Sequence, residues 1–333
     1  MRNTVFIKNN RIYTDKGKML TNKQAIIMNA PKTFSFFDNN GPTIALFNSV
    51  KRYISCSNCY KLVYNLTYVE KITIDVIMYM IALSIDVRKS KPYLMFTLKL
   101  PSDPSVKDFI KKCGLKQFVK GNNEYIVEDC KDYYTIAIGS QADTEITKSI
   151  CEFVYPHLGI DKSKGFFLYN TFIELMNNSN QHAYKDDDDD KKWFVFIENV
   201  SDRLKFTFLD TGVGIPNTVI KKVTYDTNDF NALDLLDFAE KRDARFIYSA
   251  LLREDMRSQT REENRGHGLP EIYSYYKDGK YTSNLKIISG HGICVFNDYD
   301  RLNPKLTNMK HNFDGTLFYW EINKDIFRKE NIL

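Results

Sequence analysis

The run VIMYMIALSI, Val76 to Ile85, is the strongest apolar stretch of the chain and limits what it can fold into. Ten residues are too few for a bilayer, which takes about twenty helical residues. Asp75 and Asp86 also flank the run. It is read as a buried helix that starts at Thr73, an N-cap residue, with Asp75 in the first turn. The composition can supply the cover: 43% of 333 residues are hydrophobic and 14% aromatic, enough for two ordinary domains. The net charge of +5 is mild, and no Lys/Arg block marks a dedicated nucleic-acid binder. The amino terminus, MRNTVFIKNNRIY, lacks the apolar segment of a signal peptide. A soluble, cytoplasmic protein with no membrane partner is expected.

Around that helix, strand and helix patterns alternate. TVFIKN reads as a strand and Thr43–Tyr53 as a helix. KLVYNLTYV is β-rich, YLMFTLKL is a strand, and PSDPSVKDFIKKCG is a helix opened by Pro104 and closed by Gly114. This grammar predicts a small α/β layer domain over residues 1–122. The turn-rich KGNNEY marks a boundary, and residues 123–143 are read as a β-rich connection. The second domain, 144–326, has helical periodicity over about 144–157 and 165–183 and strands at WFVFIEN and RLKFTFLD. Helices are expected over about 230–256 and from His267. NLKIIS, ICVFND and GTLFYWEI are the closing strands. SGHGICVF lies between β-rich runs, so its glycines are read as a hairpin turn.

Four motifs in the second domain carry possible chemistry. In ELMNNSNQHAY, Glu174 and Asn178 share a helix face, with His182 a further turn along. An amide oxygen can ligate Mg²⁺, and a carboxylate can orient or deprotonate a nucleophile. The same spacing also fits a polar surface helix. In FTFLDTGVGIP a β-rich run ends at Asp210 and passes into Gly212 and Gly214. The glycines let backbone approach a ligand, and Asp210 can accept from an exocyclic amine, although a plain turn would look similar. In NRGHGLPEIYSYY the glycines open a helix whose unpaired N–H groups suit phosphate, with Arg261 and Arg265 upstream. In DGTLFYWEI a Gly-Thr opens the last strand.

Other features read more plainly. Asp186–Asp190 is a solvated loop, since consecutive aspartates repel and a flexible run fixes no coordination shell. YKDDDDDKK resembles an epitope tag, but it lies between a helix and a strand and is treated as native. Cys56 and Cys59 form a C-x-x-C without the second pair a zinc site needs.

The order of the four motifs resembles the Bergerat ATP-binding fold of the GHKL superfamily, which includes gyrase-type topoisomerases, heat-shock chaperones, histidine kinases and mismatch-repair ATPases. The resemblance covers about residues 144–323. No P-loop pattern occurs. The fold implied is α+β: a carboxyl-terminal two-layer α/β sandwich of Bergerat type after a smaller α/β domain that looks STAS-like. The resemblance implies ATP bound with Mg²⁺. Asn178 would hold the metal, and Asp210 with Gly212 and Gly214 would take the adenine. Arg265, Gly266, His267, Gly268 and Leu269 would meet the phosphates, and Thr316 would complete the ATP-binding set. Glu174 would be the catalytic carboxylate, and residues 217–265 the lid.

None of the five histidines, 157, 182, 267, 291 and 311, precedes the ATPase region, so a sensor kinase with an upstream phosphoacceptor is not expected. ELMNNSNQHAY is similar to the matching motif of anti-sigma-factor serine kinases, which have a histidine eight residues after the glutamate. STAS domains carry a phosphorylatable serine at the helix start, where this chain has Thr73, Ile74 and Asp75. The resulting expectation is a bacterial-type ATPase that hydrolyses Mg-ATP slowly as a conformational switch. It would engage a protein partner or a second copy through the amino-terminal domain or the lid. The alternatives are a serine/threonine kinase acting on a STAS-like partner and a non-catalytic nucleotide-binding scaffold.

Overall fold

The computed structural model describes residues 5–8, 11–14, 25–56, 59, 61–92, 94–120, 133–181, 192–219, 242–252, 268–279 and 282–330. The chain is of mixed α+β structure and divides into two compact units, Met1–Ile126 and Val127–Leu333.

In the first unit, β1 (Val5–Lys8) and β2 (Arg11–Thr14) pair antiparallel. Strands β3 (Ala25–Asn29), β5 (Lys61–Asn65) and β7 (Met95–Lys99) form a parallel sheet in the order β3-β5-β7. A two-residue parallel pair joins β4 (Thr33–Phe34) to β6 (Lys71–Ile72). Parallel neighbours need crossovers, and helices α1 (Asn40–Cys56) and α2 (Ile74–Ser90) lie between the strands. The apolar run that opened the sequence analysis is the buried body of α2. Tyr64 of β5 fastens that helix to the sheet, its hydroxyl lying 3.2 Å from the Met80 carbonyl and 2.9 Å from Ser84 Oγ. Phe34, Phe36, Phe47 and Tyr79 form an aromatic cluster between α1 and α2, with ring centroids 4.8–5.6 Å apart.

Thr73 occupies the N-cap position of α2, but its side chain makes no cap bond. Its hydroxyl instead donates to the Phe34 carbonyl at 3.4 Å. Asp75 is wholly buried and accepts the Phe36 N–H at 2.9 Å, tying the loop after β4 to the start of α2. Burial pushes its carboxyl above the usual range, against the hydrogen bonds it accepts. Strand β5 stops at Asn65, short of the β-rich stretch read to Val69. There the Asn65 amide oxygen accepts from the Thr67 hydroxyl at 2.6 Å and bends the chain out of the sheet. Helices α3 (Pro104–Lys112) and α4 (Leu115–Lys120) follow. Asp103 caps the first, and Arg88 donates to the Phe118 and Val119 carbonyls of the second.

The second unit is built on an antiparallel five-stranded sheet, ordered β11-β12-β10-β9-β8. Its strands are β8 (Tyr133–Gly139), β9 (Trp193–Val200), β10 (Arg203–Asp210), β11 (Thr282–Asn297) and β12 (Asp300–Asn323). Its helices are α5 (Thr144–Leu158), α6 (Phe166–Gln181), α7 (Arg242–Leu252), α8 (Gly268–Lys277) and α9 (Lys324–Glu330). Asp143 starts α5 by accepting the N–H groups of Glu145 and Ile146. Helices α5 to α8 share one core with the sheet. Phe172 of α6 meets Phe206 of β10 and Trp320 of β12 there, and the last two stack at 5.1 Å.

Two details differ from the sequence reading. Strand β8 lies inside the segment read as a connection and pairs with β9 as the edge of the sheet. The closing strands read separately as NLKIIS and ICVFND are one strand, β11, so Ser289–Gly292 is not a hairpin turn. The register slips there instead, and the turn comes at Asp298 and Tyr299. The cause is the approach of α7: a Cβ on Gly292 would lie 2.6 Å from Ala244 N, and Asp243 accepts the His291 N–H at 2.7 Å. Of the expected lid, 217–265, only 217–219 and 242–252 are among the described residues.

Candidate functional site

The site is built where β10 ends. Asp210, the last residue of β10, pairs with Thr316 of β12, which pairs in turn with Ser289 of β11. These three polar side chains thus form a row across adjacent strands, and all three are buried. After Asp210 the chain turns sharply. The Asp210 carboxylate accepts the Gly212 N–H at 2.7 Å, and Gly214 has φ +82°. A turn of helix then starts at 215.

Two glycines make this geometry possible. A Cβ on Gly214 would lie 2.8 Å from Ser289 Oγ. Gly315 has φ +96°, and a Cβ there would lie 2.0 Å from the Asp210 carbonyl oxygen. An L side chain at either position would be both strained and obstructed. The glycine of the Gly-Thr pair therefore permits the close approach of β12 to the turn after β10.

Ser289 locks the turn. Its hydroxyl accepts the Ile215 N–H at 2.9 Å, donates to the Gly315 carbonyl at 2.9 Å, and lies 3.2 Å from Thr316 Oγ1. The sequence reading missed this residue because its glycine-rich surroundings were taken for a turn. The available signal was a small hydroxyl residue ending an otherwise apolar strand.

One cleft gathers most of the expected residues. It is lined by Asn178 of α6, Asp210, Gly212 and Gly214 of the turn, Leu269 of α8 and Thr316 of β12, with Phe208 and Phe318 as part of its apolar wall. Its enclosed volume is about 20 Å³, room for a water. Small-molecule pockets run to about 300–1,000 Å³, so a larger ligand enters only if these walls part. Asn178 Nδ2 is buried with no hydrogen-bond partner. Such an orphaned N–H group costs about 1–3 kcal/mol and is satisfied only by a hydrogen-bond acceptor.

Glu174 lies one turn before Asn178 and is not part of that lining. Burial, and then the charge of Glu271, raise its carboxyl above the ordinary range. Glu271 itself accepts from the Tyr275 hydroxyl and, at 3.5 Å, from Asn170 Nδ2 of α6. Gly268 opens α8. Arg265, Gly266, His267, His182 and the aspartate run Asp186–Asp190 lie outside the described residues. The same holds for the Cys56 side chain, while Cys59, Cys113, Cys151 and Cys294 are in no disulfide.

No protein-family model matches the chain, and no curated protein sequence matches it. Among the described residues no group of His, Cys, Asp and Glu could hold a metal by itself. The Asn178 amide is one oxygen donor of the cleft, beside the Asp210 carboxylate and the Thr316 hydroxyl. A single hard oxygen ligand fits Mg²⁺ that arrives on a phosphorylated ligand, because Mg²⁺ is commonly held by few protein groups plus phosphate oxygens. No helix among the described residues is long and apolar enough to cross a membrane.

Proposed function

We propose that the second unit binds Mg-ATP in the manner of the GHKL ATPases and hydrolyses it slowly as a conformational switch, with a Bergerat-type fold behind a STAS-like first unit. The observation that carries this reading is the convergence of Asn178, Asp210, Gly212, Gly214, Leu269 and Thr316 on one cleft. They come from a helix, a strand-end turn, a second helix start and a last strand, in the order the resemblance requires.

In this reading Asp210, steadied by the Gly212 N–H, accepts from the adenine amine. The Asn178 amide oxygen would hold the metal, which when bound would neutralise phosphate charge. The amino end of α8 turns its N–H groups toward the phosphates, with Arg265, Gly266 and His267 just before it. Glu174 takes the proton of the attacking water, and its raised proton affinity makes it a better base once ionised. A ligand that makes different contacts with α6, the glycine turn and α8 in two arrangements would shift the balance between them, as a switch requires. The protein partner or second copy that reads this change acts through the first unit or the lid.

Incubation of the full chain with γ-labelled ATP tests the reading. Slow release of labelled phosphate, abolished in Glu174→Ala, is the expected result. Label transferred to a STAS-like protein would mean a kinase. Tight binding with neither product would mean a scaffold.

A further inference from the structure

We propose that Ser289 fixes the Thr316 hydroxyl as a hydrogen-bond acceptor toward the cleft, so that the site selects a base presenting an amine over one presenting a carbonyl oxygen. The inference rests on the nucleotide reading above and deepens it by naming what sets the base preference.

The protons at Ser289 can be counted. A serine hydroxyl has one proton to give and two lone pairs. At Ser289 the Ile215 N–H takes one lone pair at 2.9 Å. The Gly315 carbonyl, also at 2.9 Å, has no proton of its own and must receive the serine's. Giving that proton to Thr316 instead would leave two oxygen atoms facing each other at 2.9 Å with nothing between them. The remaining contact, at 3.2 Å between Ser289 Oγ and Thr316 Oγ1, is therefore made by the threonine proton entering the second lone pair of the serine. Thr316 has then spent its only proton and has lone pairs alone to offer the cleft that it lines.

Asp210 stands directly across from Thr316 on the neighbouring strand, and as a carboxylate it also only accepts. Two adjacent acceptors form the polar end of the cleft. Adenine fits them with the two N–H bonds of its exocyclic amine. A base with a carbonyl oxygen at that position meets lone pairs with lone pairs. The Ser289 hydroxyl acts through Thr316 and is a positioning residue.

The test is equilibrium binding of ATP and inosine triphosphate to the full-length chain, read as the ratio of the two affinities. A uniform loss from a loosened glycine turn cancels in that ratio. Wild type is expected to prefer ATP. In Ser289→Ala the threonine proton is released and can turn toward a carbonyl oxygen, so the preference shrinks by about three- to tenfold. Thr316→Val removes the acceptor, leaves the three-way lock of Ser289, Ile215 and Gly315 in place, and shrinks the preference by a similar factor. A ratio unchanged in both variants, or equal affinities in wild type, overturns the inference and leaves the nucleotide site standing. Binding of neither nucleotide by folded wild type overturns both.

Discussion

Replacing Gly315 with alanine removes the permission for β12 to pass against the end of β10, and its cost can be worked from the contacts. At φ +96° an alanine is held in a region L residues rarely enter, at about 1–3 kcal/mol. The new Cβ would lie 2.0 Å from the Asp210 carbonyl oxygen, 3.0 Å from its carbon and 3.2 Å from Thr211 Cα. These are backbone atoms, so no side chain can swing aside, and overpacking adds about 1–3 kcal/mol. The total, about 2–6 kcal/mol, is a large part of the 5–15 kcal/mol that typically holds a protein folded. Both tryptophans of the chain, Trp193 and Trp320, are buried in the second unit, so their fluorescence in a urea titration reports its unfolding. With a urea slope of about 1–3 kcal/mol/M, the midpoint should fall by about 0.7 M or more. Gly41→Ala is the contrast: a Cβ there meets nothing within 4 Å, so the first unit should gain about 0.4–1 kcal/mol. A Gly315→Ala midpoint within about 0.2 M of wild type would refute the close approach of the two strands, and with it the floor of the cleft.

Asn178→Leu should separate stability from binding. It removes a buried amide N–H group without a partner, so the second unit should be as stable as wild type or up to about 1–3 kcal/mol more stable, while Mg-dependent nucleotide binding is lost. A destabilised variant that still binds would count against the role of Asn178. Asp75 predicts a pH dependence in the first unit. Its carboxyl is raised in the fold, so the folded state holds the proton more tightly than the unfolded chain. Its stabilisation is full below the ordinary value of 3.8 and is lost as pH rises through the folded value. Urea titrations at stepped pH should show this slope and show it flattened in Asp75→Asn. Glu271→Gln should lower the proton affinity of Glu174 by removing the neighbouring charge, moving the acidic limb of the ATPase pH profile to lower pH. An unmoved limb would mean that the two carboxylates do not sense each other.

Much of the fold could be read from the sequence because its helices announce their own ends. The second helix read in the carboxyl-terminal domain, 165–183, is α6, Phe166–Gln181, and Asp143 with Gly159 brackets α5. The cleft residues stand out in the sequence because Asp210, Gly212 and Gly214 follow the end of a strand pattern, and Asn178 shares a helix face with Glu174. What was not legible depends on distant partners. Strand β8 is defined by pairing with β9, which no local pattern declares. The glycines of SGHG look like a turn in isolation. They serve as a bulge because Ala244 of α7 presses on Gly292, some 48 residues away in sequence. Ser289 became visible only when β11, β12 and the turn after β10 came together around its hydroxyl. That Glu174 senses the charge of Glu271 and does not line the cleft is a property of how α6 packs on α8.

The central claim is that the cleft at the end of β10 is an adenine nucleotide site. Isothermal titration of Mg-ATP into the full-length chain and into Asp210→Asn tests it most directly. Asparagine keeps an oxygen for the Gly212 N–H, so the turn survives and unchanged tryptophan fluorescence can verify the fold. The account predicts saturable binding by wild type and binding weaker by about tenfold or more in the variant. An absence of heat with folded wild type, or equal affinity in the two proteins, would contradict it.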